Sequence, residues 1–346
     1  MITYFKSSLI FTFFSFLLAG FIGFYSSGDL SGVLEILLIV LVLSVLEVSL
    51  SFENAVVNAK YLKNMDPVWR KRFLTWGMLI AVFGMRIILP LVIVSVVAHM
   101  SMFETLSLAF SYPDEYERIL ESSHNQILGF GGSFLLMVGL RYFFDIEKDV
   151  HWVKVIEEPL VKAGKLYMVE ASIAIISLLT VSSFLDESKK LDFLIAGLVG
   201  LIVYVLVQWI SAILNYSNLA GNVVKSGLAT FIYLEILDAS FSFDGVVGAF
   251  ALSNNILVIA LGLGVGAMFV RSLTLMFVDK GVLDNFRFLE HGAFWAVIFL
   301  ALFMIVGVFI HVAEFVTGLF GAVIICLSLY SSYKHNKNKL SKINSN

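Results

Sequence analysis

The chain has 346 residues, of which 59% are hydrophobic and only 14% charged, with a net charge of −3 and a mean hydropathy of +0.93. An ordinary soluble domain carries about a quarter charged residues, so this balance excludes one, and no basic excess supports binding to nucleic acid. The single cysteine, Cys326, lies in an apolar run, which excludes an internal disulfide or a cysteine-based metal framework.

Apolar runs of spanning length occur at about residues 8–25, 33–59, 73–98, 126–144, 169–185, 192–213, 226–250, 256–278, 291–310 and 313–332. They predict an all-α polytopic membrane protein, a single domain over residues 1–346 with about ten transmembrane helices and a cytoplasmic tail at 333–346. The first run follows Lys6 as a signal peptide would, but no small-x-small cleavage site ends it and Phe21 to Tyr25 stays bulky, so it reads as a retained helix.

Orientation follows from the basic residues, which resist translocation. With the N-terminus inside, Arg118, Lys189 and Lys190 fall outside and Arg86 and Arg271 fall within spans. All other Lys and Arg residues, from Lys6 to Lys342, then face the cytoplasm. Both termini are therefore expected to be cytoplasmic. The acidic stretch from Ser101 to Gln126 reads as a wet external loop, and residues 145–168 as an interfacial cytoplasmic segment with no assigned chemistry.

Two segments repeat each other: EVSLSFENAVV from Glu47 and DASFSFDGVVG from Asp238. Each has an acid first, serines third and fifth, Phe sixth and an acid seventh, displaced by the same 191 positions. Each is followed by a helix with one intramembrane arginine, Arg86 or Arg271. The repeat cores are residues 33–98 and 226–278. Their helices lie five spans apart and so run in opposite directions, an inverted repeat of the kind that holds a transported ion near mid-membrane.

A charge at the bilayer centre costs a few kcal/mol on insertion scales, so intramembrane acids normally face a partner, a cavity or a pathway. On a regular helix Glu47, Ser51, Asn54 and Asn58 share one face, as do Asp238, Ser242 and Gly245. Glu53 and Asp244, six residues after the first acids, lie about 120° away around the helix. They can join the same site only if the helix is broken, so distortion is expected at Ser49 to Glu53 and at Ser240 to Gly245. The expected metal ligands are Glu47, Glu53, Asp238 and Asp244. Ser49, Ser51, Asn54, Ser240, Ser242 and Glu235 are expected to line the site, with Arg86 and Arg271 as counter-charges. Four carboxylates less two guanidinium groups leave −2, enough for one divalent ion. Oxygen ligands suit Mn²⁺, Ca²⁺ or Mg²⁺ as the transported ion and partner, and no permanently bound cofactor is expected.

GLGVG at Gly262 to Gly266 has no preceding strand and reads as small-residue helix packing rather than a nucleotide loop. His99, His311 and Glu314 fit helix ends, and the 32 phenylalanines fit lipid-facing bulk.

The two motifs resemble those of the TerC family of integral membrane proteins, especially its longer branch once described only as a domain of unknown function. The similarity spans about Glu35 to Val278: Glu47 followed by Ser51, Phe52, Glu53 and Asn54, then Asp238 followed by Ser242, Phe243, Asp244 and Gly245. Glu53 departs from the family's usual Asp and moves its carboxylate by about one C–C bond. The resemblance implies metal-ion transport, chiefly manganese efflux or homeostasis, an older association with tellurite resistance, and kinship with amino-acid and cation exporters built on inverted repeats. The expected location is a bacterial inner (plasma) membrane. Two other classes compete: a membrane scaffold that delivers metal without moving it, and an intramembrane aspartyl-type hydrolase. Four symmetric acids with two arginines exceed what a catalytic dyad needs, so no enzyme is expected.

Overall fold

The computed structural model describes the backbone of all residues except Met1, Met78, 217–222, Ala251, His311 and 345–346. Side chains are described for the same residues less Ile2, Leu74, Ser211, 214–216, 223–226, Phe243, Asp244, Val247, Glu314 and 339–344. Among the described residues there are helices and no strands, and the chain is an all-α polytopic membrane protein.

α1 (Ile2–Ser27) and α2 (Leu30–Leu50) form a hairpin that turns at Gly28. Its φ of 72° suits glycine, and its N–H bonds the Phe24 carbonyl at 2.8 Å. Asp29 then caps α2 by accepting from the Gly32 N–H at 2.9 Å. Ser8 on α1 donates to the Met268 carbonyl at 2.7 Å, so the first apolar run is an integral part of the bundle.

α3 (Phe52–Lys63) follows α2 after a break, and α4 (Pro67–Arg72) leads into two π-helical stretches, π1 (Phe73–Gly77) and π2 (Ile80–Ile88), then α5 (Leu89–Val97). The acidic stretch read as a loop is instead two short helices, α6 (Met102–Ser111) and α7 (Pro113–Ser122). A capping box starts α6: Glu104 N–H donates to Ser101 Oγ at 3.3 Å, and Ser101 N–H to Glu104 Oε2 at 2.8 Å. Pro113 opens α7 in the first-turn position where its missing N–H costs nothing.

The second half comprises α8 (His124–Phe143), α9 (Lys154–Ala163), α10 (Val169–Ser183), α11 (Glu187–Tyr216), α12 (Val223–Phe250), α13 (Ile256–Asp279), α14 (Val282–Asn285), α15 (Leu289–Gly307) and α16 (Glu314–Asn344). All ten expected runs are helical, but eight helices among the described residues are long and apolar enough to span. α10 is only 15 residues long, and α12 carries three carboxylates along its length. The spanning windows of α8 and α13 are 78% and 72% buried against 22% for α1 and α2, so the former make the core and the latter the rim. Phe13, Phe14, Phe21 and Phe315 are more than 60% exposed, as expected of outward-facing bulk, whereas Phe73, Phe134, Phe143, Phe193 and Phe294 are at most 1% exposed and fill the core.

At the end where α8 meets α15, the fully buried Glu157 accepts five hydrogen bonds. The donors are Lys148 Nζ at 3.1 Å, the Trp152 and Val153 N–H groups at 3.2 and 3.1 Å, Trp295 Nε1 at 3.1 Å and His291 Nδ1 at 2.8 Å. Burial pushes this carboxyl up, but the His291 bond and charge, then Lys148 and the Val153 N–H, outweigh it and hold it well below the usual carboxylate range. The 145–153 segment is thereby fastened to α15. Glu157→Gln removes the charge that Lys148 was buried to meet and is expected to cost about 3 kcal/mol, read as a lower unfolding midpoint in detergent. Because the folded-state pKa is depressed, the difference is full above the ordinary value of 4.5 and narrows as pH falls below it; a pH-independent difference would contradict this account.

Candidate functional site

The first motif is broken where the serines lie. Ser51, with φ −111° and ψ 13°, separates α2 from α3. Its N–H still reaches the Glu47 carbonyl at 3.0 Å and its carbonyl still accepts from Ala55 N–H at 3.2 Å. Among the described residues no backbone bond links Phe52, Glu53 or Asn54 to the carbonyls of Val48, Ser49 or Leu50. Serine suits this position because its hydroxyl has a local partner in place of the ladder: Ser51 Oγ donates to Glu47 Oε1 at 2.9 Å.

The same Glu47 oxygen accepts from Arg86 Nη2 in a buried ion pair, while Arg86 Nη1 donates to the Ala81 carbonyl at 2.5 Å. Arg86 sits in π2, whose wider turn continues to Leu89, bonded five residues back to the Gly84 carbonyl. Pro90 then lacks the N–H that would bond the Arg86 carbonyl in an α-helix.

The second motif behaves differently. α12 runs unbroken through Ser240 to Gly245, so the distortion expected there is absent. Asp238 points across to the first half and accepts from Asn58 Nδ2 at 2.8 Å. Arg271 lies over the Phe73 ring, 4.3 Å from its centroid. The packing is reciprocal: α2 and α3 pack on α13, the arginine helix of the other half, and α12 packs on π2.

These elements enclose one small polar cavity of about 30 Å³. Glu47, Ser51, Asn54, Asn58, Arg86, Asp238, Ser242 and Arg271 line it, with Thr274 and the apolar Phe73, Ala81, Phe241, Ala267 and Val270. The first acids of both motifs and both arginines thus meet, as do Ser51, Asn54 and Ser242. Glu53, Ser49, Ser240 and Glu235 do not. Glu53 is buried against Gly321 of α16, where a Cβ would lie 3.3 Å from its Oε2, and among the described residues that oxygen has no hydrogen-bond partner. That carboxylate lies in the first turn of α3, where the helix dipole favours negative charge, instead of joining the cavity. Ser49 faces an apolar groove with Phe315 and Leu319, and Ser240 bonds the Ile236 carbonyl at 3.0 Å. Glu235 is buried beside Gly77 and Arg271, outside the cavity wall. The side chain of Asp244 lies outside the described residues.

Among the described residues the lining therefore carries two carboxylates and two guanidinium groups, which are formally neutral with Asp244 left uncounted. No group of three or more His, Cys, Asp or Glu side chains suited to a metal occurs among the described residues. The further oxygens are amides: Asn54 Oδ1 and Asn58 Oδ1 are buried without any donor. Asn58 and Thr274 were not among the expected site residues, although the i, i+4 spacing of Asn58 from Asn54 signals the former.

A family model of proteins of unknown function (DUF475) matches residues 52–339. The chain belongs to this family. The matched DUF475 region holds Asn54, Asn58, Arg86, Glu235, Asp238 and Arg271, and begins just after Glu47 and Ser51. No curated protein and no solved structure matches the chain.

GLGVG seats the carboxylate of the first motif. Gly262 abuts Leu43, and a Cβ on Gly266 would run into the Cβ and Cγ of Glu47 and come within 2.9 Å of the Ser44 carbonyl. Gly266→Ala is expected to cost about 1–3 kcal/mol, because backbone must move. Gly245→Ala meets only ordinary contacts, 3.4 Å from Glu47 Oε2 and 3.7 Å from Leu50 Cδ1, and should unfold at the wild-type midpoint. Equal midpoints for the two variants would show that α2 and α13 do not approach this closely.

Proposed function

We propose that the protein is a membrane transporter of divalent metal cations, with Mn²⁺ the favoured substrate in efflux or homeostasis. One observation carries this reading: the buried, donor-free amide oxygens of Asn54 and Asn58 line the same cavity as the carboxylates of Glu47 and Asp238. An all-oxygen donor set suits a hard cation, and buried acceptors without donors are costly unless something positive meets them. About 30 Å³ holds roughly two waters. A cation there would shed most of its hydration, which disfavours Mg²⁺, reluctant to dehydrate, and favours Mn²⁺ or Ca²⁺.

Both arginines are counter-charges in this reading. The described lining is formally neutral without an ion, so an entering dication displaces a guanidinium group rather than filling a ready-made excess of negative charge. The resemblance to the TerC family supports manganese as cargo. The reciprocal packing of acid and arginine helices supports an inverted repeat, and the Lys and Arg distribution supports cytoplasmic termini in a bacterial inner membrane.

The test is uptake of Mn²⁺ and Ca²⁺ into liposomes containing the purified protein. Glu47→Gln and Asp238→Asn keep the shape of each side chain and are expected to weaken apparent affinity by about 10- to 100-fold or more, the range seen when groups around a bound metal are removed. Wild-type flux in both variants rejects the site. Wild-type liposomes no faster than empty ones favour metal delivery by a scaffold.

A further inference from the structure

The two halves carry the same motif but treat their arginines differently. Arg86 is held by an ion pair to Glu47 and by the Ala81 carbonyl. Among the described residues Arg271 has no ion pair within 4 Å, and its Nε and Nη2 have no hydrogen-bond partner although it is only 8% exposed. One turn before Asp238 on α12, Glu235 is 7% exposed and neither of its oxygens has a partner. Both groups converge on Gly77 of π1: a Cβ built there would collide with Glu235 Oε1 and lie 2.9 Å from Arg271 Nη2. The position that corresponds to Glu235 in the first motif, 191 residues earlier, is Ser44, which bonds the Val40 and Gly262 carbonyls. The extra acid therefore belongs to the second half alone.

We infer that Arg271 is a movable counter-charge that stands between Asp238 and Glu235 and closes on Glu235 when a cation occupies Asp238. Glu235 is then a positioning residue that touches no cation and sets affinity by receiving the displaced guanidinium. A buried arginine driven from Asp238 with nowhere to go would oppose the cation; the unpartnered carboxylate over Gly77 removes that opposition. The absence of a Cβ at Gly77 leaves the space in which the two heads meet. Arg86, anchored at two points, stays in place.

This inference rests on the cation reading above, and its test separates the two. Mn²⁺ binding to the purified full-length protein in detergent is measured by titration calorimetry. Glu235→Gln is expected to weaken binding about tenfold, within the ordinary range of site coupling. Arg271→Gln should bind at least as tightly as wild type, and adding Glu235→Gln to it should change nothing, because no guanidinium is left to receive. Gly77→Ala, whose methyl displaces only side-chain ends, should weaken Mn²⁺ as Glu235→Gln does, with no further loss in the double variant. This second cycle decides the matter if Arg271→Gln does not fold. Unchanged binding in Glu235→Gln, or a loss that persists undiminished in the Arg271→Gln or Gly77→Ala background, overturns the relay. A wild-type protein that binds neither Mn²⁺ nor Ca²⁺ overturns the transporter reading itself.

Discussion

A carboxylate inside a membrane bundle persists only where positive charge and donors meet it, and the site is organised around satisfying Glu47. Its Oε1 takes both the Arg86 guanidinium and the Ser51 hydroxyl. Each partner has a structural prerequisite. Ser51 sits at the break between α2 and α3, Arg86 sits on a π-helical turn, and the Glu47 stem lies against Gly266 of α13. The close approach of α2 to α13, the irregular path from π1 to α5 and the position of the cavity all serve one buried charge.

Much of this was legible in the sequence because it depends on spacing alone. The face shared by Glu47, Ser51, Asn54 and Asn58 follows from helical periodicity, and the cavity uses that face. The small-residue reading of GLGVG needed only the absence of a strand. Departures arise where identical motifs meet different surroundings. Ser49 to Glu53 breaks with Glu53 in the first turn of the next helix, whereas the matching serines of α12 lie within an unbroken helix, which similarity of letters cannot reveal. The sequence does place Glu53 about 120° from Glu47, and the break did not bring it round. α6 and α7 were hidden by their charge, although the Ser101–Glu104 capping box was available to find the first of them. Glu157 could not be found in advance, because His291 and Trp295 reach it from more than 130 residues away.

The pseudo-symmetry is thus a framework on which the halves have diverged. One acid helix is interrupted and the other continuous, and one arginine is clamped while the other stacks on Phe73 with unmet donors. Under-satisfied polar groups of this kind are rare in folded interiors and concentrate where something has to bind or move. Among the described residues they lie on both sides of the site, at Asn54 and Asn58 in the first half and at Glu235 and Arg271 in the second.

The placement of Arg86 also bears on how the chain is made. Its partner Glu47 is only 39 residues upstream, so the first-synthesised half can enter the bilayer already neutralised by its own residues. Asp238 has no ion pair of this kind among the described residues: the amide that meets it, Asn58, comes from 180 residues earlier. The bond between them can form only once the early half is in place. Synthesis from the N-terminus thus supplies Asn58 before the acid that it meets.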